Sequence, residues 1–286
     1  MTATALHADA GSARRGRQAL LWVVPLTASW IVVNYWQPGL QASGVPTTAF
    51  RLMTHVLIAL ALWLALERST MAQAQRRAVW LAVMVPYTLW LAVIWSAAVN
   101  GVFRPGNGPP LLPLAIFVPV IIGTPLLLRS RRIGDVLDAM PESWLVALQL
   151  YRVFGSVFLV GWARNVVPGV FAMPAGIGDV ITGLLAVPIA ILLTADTPET
   201  RRAAIGWNVF GLLDFTVAVS IGLMISPGPF QLIVSSIPNS TAGVYPNVMI
   251  PAFAVPSWIV LHALSLWQLR RAARRTAGYQ VSLAAA

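Results

Sequence analysis

This sequence of 286 residues contains no cysteine and no lysine, and only 10% of its residues are charged. The missing cysteine excludes disulfides, thiolate metal sites and cysteine nucleophiles. Soluble domains carry about 25% charged residues, so this chain has too little charge to cover a water-soluble surface. All of the 19 basic residues are arginine, which we interpret as the codon usage of a GC-rich, bacterial genome.

Apolar residues make up 58% of the chain and form eight long stretches. Each stretch comes close to the roughly 20 residues that a helix needs to cross the hydrocarbon core of a bilayer. The sequence therefore predicts an all-α integral membrane protein. The predicted helices are 19–37, 50–67, 78–99, 111–128, 143–162, 178–194, 203–225 and 247–268.

Arginine is distributed unevenly over the connections. The N-terminal tail, the connections after helices 2, 4 and 6 and the C-terminal tail hold 15 arginines, whereas the other four connections hold three. Arginine is retained on the cytoplasmic side. We therefore expect both termini in the cytoplasm of a bacterium and the chain in its cytoplasmic membrane. The alternative that helix 1 is a cleaved signal peptide is less favoured because its apolar region is long.

The domain organisation follows from these spans. We predict a disordered tail over 1–18, a membrane domain over 19–275 and a tail over 276–286. Similar patterns of arginine, proline and apolar residues suggest a parallel repeat of four plus four helices, with halves 19–132 and 143–275.

Two predicted outer connections are too apolar for ordinary solvated loops. The segments 164–178 and 227–241 are broken by proline and glycine. We expect them either to lie in the headgroup layer or to re-enter the membrane as lids over an outer vestibule.

Two ionisable residues stand out inside predicted helices. Arg152 in helix 5 and Asp214 in helix 7 lie at similar depths, near the middle of the bilayer, when the rise is taken as about 1.5 Å per residue. A charged residue at that depth is costly, so it either forms an ion pair or has a functional role. We predict that the two residues form an ion pair, which either fixes helix packing or forms a polar centre for a solute or ion.

Other polar residues extend the predicted centre. Gln149 and Ser156 share the Arg152 face of helix 5, and Asn208 shares the Asp214 face of helix 7. Asn208 is expected to complete hydrogen bonds to the guanidinium. Asp179 is placed at the outer start of helix 6, where it either caps the helix or contacts Arg164.

No cofactor or metal site is predicted. His55 and His262 differ in depth by about 10 Å or more, which excludes a bis-histidine haem site, and we expect each to have a packing or hydrogen-bonding role. Nucleotide-binding and metalloprotease motifs are missing. Since most of the arginines lie in short runs at helix ends, no nucleic-acid partner is predicted either.

The run MPESWLVALQLYRVFG, followed by FAMPAGIGDVITG and GWNVFGLLDF, resembles stretches of uncharacterised bacterial multi-pass membrane proteins. The resemblance covers helices 5 to 7 and implies no activity.

Three functional hypotheses remain open. The first is a permease for a small solute or ion, centred on Arg152 and Asp214. The second is a non-transporting assembly, sensory or regulatory subunit, which binds a membrane protein partner or a second copy of itself. The third is a lipid-acting enzyme that uses Asp179 and Arg164.

Overall fold

A computed structural model describes residues 3–106, 110–239 and 241–284, with side chains from residue 11 to residue 275. The described residues form helices and turns without β-strands. Eight helices in this part are long and apolar enough to cross a membrane, which confirms the predicted all-α class and the predicted number of membrane-length helices. They are α1 (Gly11–Trp36), α2 (Val45–Arg68), α3 (Gln73–Val99), α4 (Leu112–Arg129), α5 (Glu142–Ala163), α6 (Gly169–Ala195), α7 (Pro198–Ile225) and α8 (Ile250–Arg275).

The helices at both ends of the chain are longer than predicted. The helix that contains α1 spans Ala3–Trp36, so residues 11–18, predicted as disordered, are helical. At the other end, the helix that contains α8 extends to Ala284. Extending an existing helix avoids the cost of nucleation, and these segments are rich in alanine and arginine, which favour helices.

The predicted broken segment 164–178 is mostly helical. α6 begins at Gly169, follows Pro168 at its N-cap and continues through Pro174. Only residues 164–168 connect α5 to α6, so the prediction of an interfacial or re-entrant segment is wrong for 169–178. Proline is tolerated inside membrane helices because neighbouring groups and local adjustments satisfy the freed backbone.

The segment 227–239 is not helical and folds back over the end of α7. The N–H groups of Leu232 and Ile233 both donate to the carbonyl of Met224, and Asn239 donates to the hydroxyl of Ser226 at 3.1 Å. Val234 is 89% exposed. This segment therefore covers the end of α7 and does not form a further membrane-spanning element.

Alternate connections meet at opposite ends of the bundle. At one end, Arg164 donates to the carbonyl of Tyr35 at 2.6 Å, and the rings of Trp95 and Tyr245 lie 6.5 Å apart. We call this the arginine-poor end, because the connections between α1 and α2, α3 and α4, and α5 and α6 hold only two arginines, Arg104 and Arg164. At the arginine-rich end, Asp138 accepts from Arg271 at 3.0 Å.

The core of the bundle lies in the second half of the chain. In their most apolar windows, α5, α6 and α8 are 50–61% buried, whereas α1 to α4 are 11–22% buried. Large apolar side chains on α1 to α4, such as Trp22 and Ile121, are exposed. Such exposure suits contact with lipid, where apolar surface carries no hydration penalty.

Candidate functional site

Arg152 lies at the centre of the bundle and is 0% exposed. It belongs to a 3-10 segment, Leu148–Ser156, inside α5. A 3-10 helix has three residues per turn, so Gln149, Arg152 and Gly155 align along one face. This tightened segment presents Arg152 to α6, α7 and α8 together.

The Arg152 guanidinium binds two carboxylates. Its Nε donates to Asp179 Oδ1 at 2.8 Å, and its Nη2 donates to Asp214 Oδ2. The predicted Arg152–Asp214 ion pair is therefore present. Nη1 completes the set with contacts to the carbonyl of Gly211 at 3.4 Å and to His262 Nε2 at 3.2 Å.

Asp179 occupies a different position from the one predicted. Because α6 begins at Gly169, Asp179 lies ten residues into the helix, about 15 Å from its start. It is neither an N-cap nor a partner of Arg164, whose guanidinium contacts Tyr35 instead. The ion pair with Arg152 explains why this aspartate is tolerated at membrane depth.

A hydrogen-bond chain leads from Arg152 towards the arginine-rich end. Asn208 uses its amide N–H groups on the carbonyl of Ala204 at 2.8 Å and the hydroxyl of Ser265 at 3.1 Å. Its oxygen, 2.8 Å from His262 Nδ1, is therefore an acceptor. His262 consequently carries its proton on Nδ1 and accepts from Arg152 through Nε2.

This chain corrects the predicted role of Asn208 and enlarges the site. Asn208 supports the guanidinium through His262 and not by a direct bond. His262 has the hydrogen-bonding role expected for it, but its place beside Arg152 was not predicted. The depth of the two residues along their helices could have predicted this contact, since His262 and Asn208 both lie in the half of their helices nearer the arginine-rich end.

The remaining predicted members of the site are buried beside it without touching the carboxylates. Gln149, 1% exposed, donates to the carbonyl of Trp258 at 3.2 Å. Ser156, 0% exposed, has no described hydrogen-bond partner for its hydroxyl. The 3-10 periodicity turns Ser156 off the Arg152 face, where Gly155 takes its place.

Two glycines allow the carboxylates of Asp179 and Asp214 to lie directly against the backbone of neighbouring helices. A Cβ atom on Gly178 would collide with the carboxylate of Asp214, and one on Gly155 would collide with that of Asp179. Glycine is the residue used where another group must approach the backbone closely, because it has no side chain. Phe215 closes another side, with its ring centroid 3.8 Å from the Arg152 guanidinium carbon.

A cavity of about 540 Å³ opens at the arginine-poor end and reaches this cluster. Asp179 and Asp214 are among its lining residues, whereas Arg152 and His262 are not. Its walls are mainly apolar and include Phe158, Phe171 and Val219. The cavity thus presents carboxylates from its floor, while the compensating guanidinium lies behind them.

Polar groups also occur nearer the mouth of the cavity. Arg104, Arg164 and Asn239 line it, together with Asn34 of α1. Arg164 and Asp179 share the cavity but make no described bond to each other, so the acid–base pair expected for a lipid-acting enzyme is missing among the described residues.

A second buried arginine was missed by the sequence analysis. Arg51 lies at the predicted start of helix 2 and was counted with the connection before it, yet α2 begins at Val45 and Arg51 is only 7% exposed. Its guanidinium carbon lies 5.7 Å from the ring centroid of Trp258. The predicted start of α2 was five residues too late, which hid this second intramembrane cation.

Comparisons with known proteins place the chain in a family and leave its activity open. No curated protein and no solved structure matches it. Residues 109–270 match the family described as domain of unknown function (DUF8737). The match runs from just before α4 through most of α8, and it contains the cluster around Arg152 and the stretches quoted above. Because it covers more than half of the sequence, the chain belongs to this family.

Proposed function

We propose that this protein is a permease for a small cationic solute or cation, with Asp179 and Asp214 as its binding groups and Arg152 as the residue that positions them. The observation that carries the proposal is the cavity of about 540 Å³ whose floor holds both carboxylates. A purely structural ion pair gains nothing from being connected to such a space.

The charge arrangement favours a cation or a hydrogen-bond donor as the bound group. Asp179 and Asp214 outnumber Arg152 by one charge, and of these three residues only the two carboxylates line the cavity. The two arginines of the lining, Arg104 and Arg164, lie nearer its mouth. Apolar walls above them suit a ligand with an apolar body and a charged end, as in most ligand pockets.

The opposite side of the cluster is closed by packing. Val146, Ala204, Trp207 and Leu269, each at most 5% exposed, form part of one apolar cluster towards the arginine-rich end. A permease of this design has to open that layer when the cavity closes, as expected for alternating access.

The orientation and the internal repeat belong to the same proposal. We place both termini in the cytoplasm of a bacterium, with the cavity opening to the outside, because the tails and connections at the opposite end hold 15 arginines. The four-plus-four repeat is supported by the presence of a proline-containing π-helical turn in the last helix of each half, Pro119–Gly123 within α4 and Ile250–Ala254 at the start of α8.

The test is uptake into proteoliposomes that contain the purified full-length chain. The probes are a panel of small organic cations and, by an enclosed pH dye, protons. Asp179→Asn and Asp214→Asn preserve the size of the side chain but remove its charge. We expect each to lower uptake at least about tenfold, which is the effect of losing one charge-assisted hydrogen bond to the solute. Asp138→Asn, which changes a carboxylate outside the cavity, is the matched control.

Two results would contradict the permease. One is uptake by Asp179→Asn and Asp214→Asn equal to that of the wild type. The other is absence of flux for every probe while the same variants lose only folding yield. That second outcome would favour the alternative of a non-transporting subunit, and co-purification of a membrane protein partner or a stable homo-oligomer would support it further.

A further inference from the structure

A second, smaller cavity of about 30 Å³ lies next to the main one. The two share Gln41, Val157 and Ile250 as lining residues, so a small ion has only a short way to pass from one to the other. The small cavity differs in chemistry, because its lining contains a buried cation and several hydrogen-bond donors and lacks carboxylates.

Arg51 supplies the cation. It is 7% exposed, its Nε has no hydrogen-bond partner, and no carboxylate lies within ion-pair distance of it among the described side chains. It stacks on Trp258, but a cation–π contact leaves the N–H groups unbonded. A charged group inside a membrane span costs several kcal/mol without a partner, so Arg51 requires an acceptor.

Asp179 does not fill that role. It interacts electrostatically with Arg51, but its Oδ1 is bound to Arg152 at 2.8 Å and its other oxygen lies against Gly155. Gly155 lines the small cavity and Asp179 does not. The carboxylate therefore lowers the electrostatic cost of Arg51 from behind this backbone and leaves its N–H groups unpaired.

Three more donors line the same space without partners. They are the hydroxyl of Tyr151 and the indole N–H groups of Trp30 and Trp258, all shielded from solvent. Among the described lining atoms, the unpartnered group that can only accept is Gln41 Oε1, whereas the Tyr151 hydroxyl can donate as well as accept. One water molecule fits a volume of this size, but it has only two lone pairs for four donor groups, whereas a monatomic anion accepts from all of them.

We propose that this cavity is a binding site for a small monovalent anion of the halide class, held by Arg51, Tyr151, Trp30 and Trp258. The anion satisfies the donors and supplies the counter-charge that Arg51 lacks. The site is independent of the proposed transport activity, because binding alone is required of it.

The experiment measures thermal unfolding of the full-length protein in nanodiscs, with chloride or bromide replacing gluconate at constant ionic strength. A specific site gives saturable stabilisation that follows the bound fraction. We expect Tyr151→Phe to weaken the apparent Kd at least about tenfold, since it removes one hydrogen bond to a charged ligand. Arg51→Gln should abolish the stabilisation.

Tyr87→Phe is the matched control, because Tyr87 donates to Ser257 at 3.2 Å and lies outside the small cavity. If Arg51→Gln fails to fold, the halide affinities of Tyr151→Phe and Tyr87→Phe are compared instead, and their difference tests the site. Absence of saturable stabilisation of the wild type by either halide would overturn the site, and so would equal halide affinity of Tyr151→Phe and Tyr87→Phe. Neither result depends on whether the protein transports anything.

Discussion

Replacing Arg152 by methionine should destabilise this protein more than removing all three charges of its cluster. In the native state Arg152 binds Asp179 and Asp214 at once, and its guanidinium is 0% exposed. Arg152→Met leaves two carboxylates unpaired in the same place. Removing one partner of a buried ion pair costs about 3–5 kcal/mol, so we expect a loss of at least that size in the free energy of unfolding.

The triple variant Arg152→Met, Asp179→Asn, Asp214→Asn has no unpaired charge. Because asparagine keeps the volume of aspartate and methionine fills much of the space of arginine, the cavity and strain terms should be small. We expect this variant to recover about 2 kcal/mol or more of the stability lost by Arg152→Met. The lost partner of His262 and the lost contact to Phe215 account for the part that is not recovered.

The assay is reversible unfolding in mixed micelles, with an increasing mole fraction of SDS and tryptophan fluorescence as the signal, which the 12 tryptophans supply. The single variants Asp179→Asn and Asp214→Asn complete the cycle and separate pairwise coupling from additive effects. A triple variant as unstable as Arg152→Met, or less stable, would refute the claim that uncompensated charge dominates the energetics of this cluster.

Two further predictions concern single positions. Gly178→Ala should cost about 1–3 kcal/mol of stability by overpacking against Asp214. Gly206→Ala, with open space around it, should be neutral or stabilising by up to about 1 kcal/mol. Thermal unfolding of both variants checks this, and an equal effect at the two sites would contradict it. The hydrogen bond from Arg271 holds the pKa of Asp138 below 3.8, so its contribution is present above about pH 4 and is lost as the pH falls through the lowered pKa. Asp138→Asn should therefore lose about 0.5–1 kcal/mol at neutral pH and show a weaker fall in stability between pH 5 and pH 3; an unchanged acid profile would count against the pairing.

Much of the fold could be predicted because membrane helices are specified locally. A run of apolar residues long enough for the bilayer predicts a helix wherever it occurs, and all eight predicted stretches coincide with helices of the structure. The pairing of Arg152 with Asp214 was also within reach, since a rise of about 1.5 Å per residue gives depth from residue number alone.

The errors occurred where the start of a helix or its periodicity depends on its neighbours. Pro174 and three glycines suggested a broken segment, yet α6 continues through them. Asp179 therefore lies in the middle of the bundle and not at the helix end where it was predicted. The beginning of α2 at Val45 placed Arg51 inside the protein. In α5 the 3-10 segment exchanged Ser156 for Gly155 on the functional face.

By itself the sequence determined the number of membrane-length helices, their approximate ends and the shared depth of Arg152 and Asp214, because these depend on the fit of one segment to the bilayer. Only the tertiary structure decided that Arg152 has two carboxylate partners, that His262 and Asn208 stand behind it, and that Arg51 lines a separate small cavity. These facts depend on how each helix is rotated about its axis and how closely its neighbours approach. Rotation and approach are fixed by contacts between helices that are far apart in the chain.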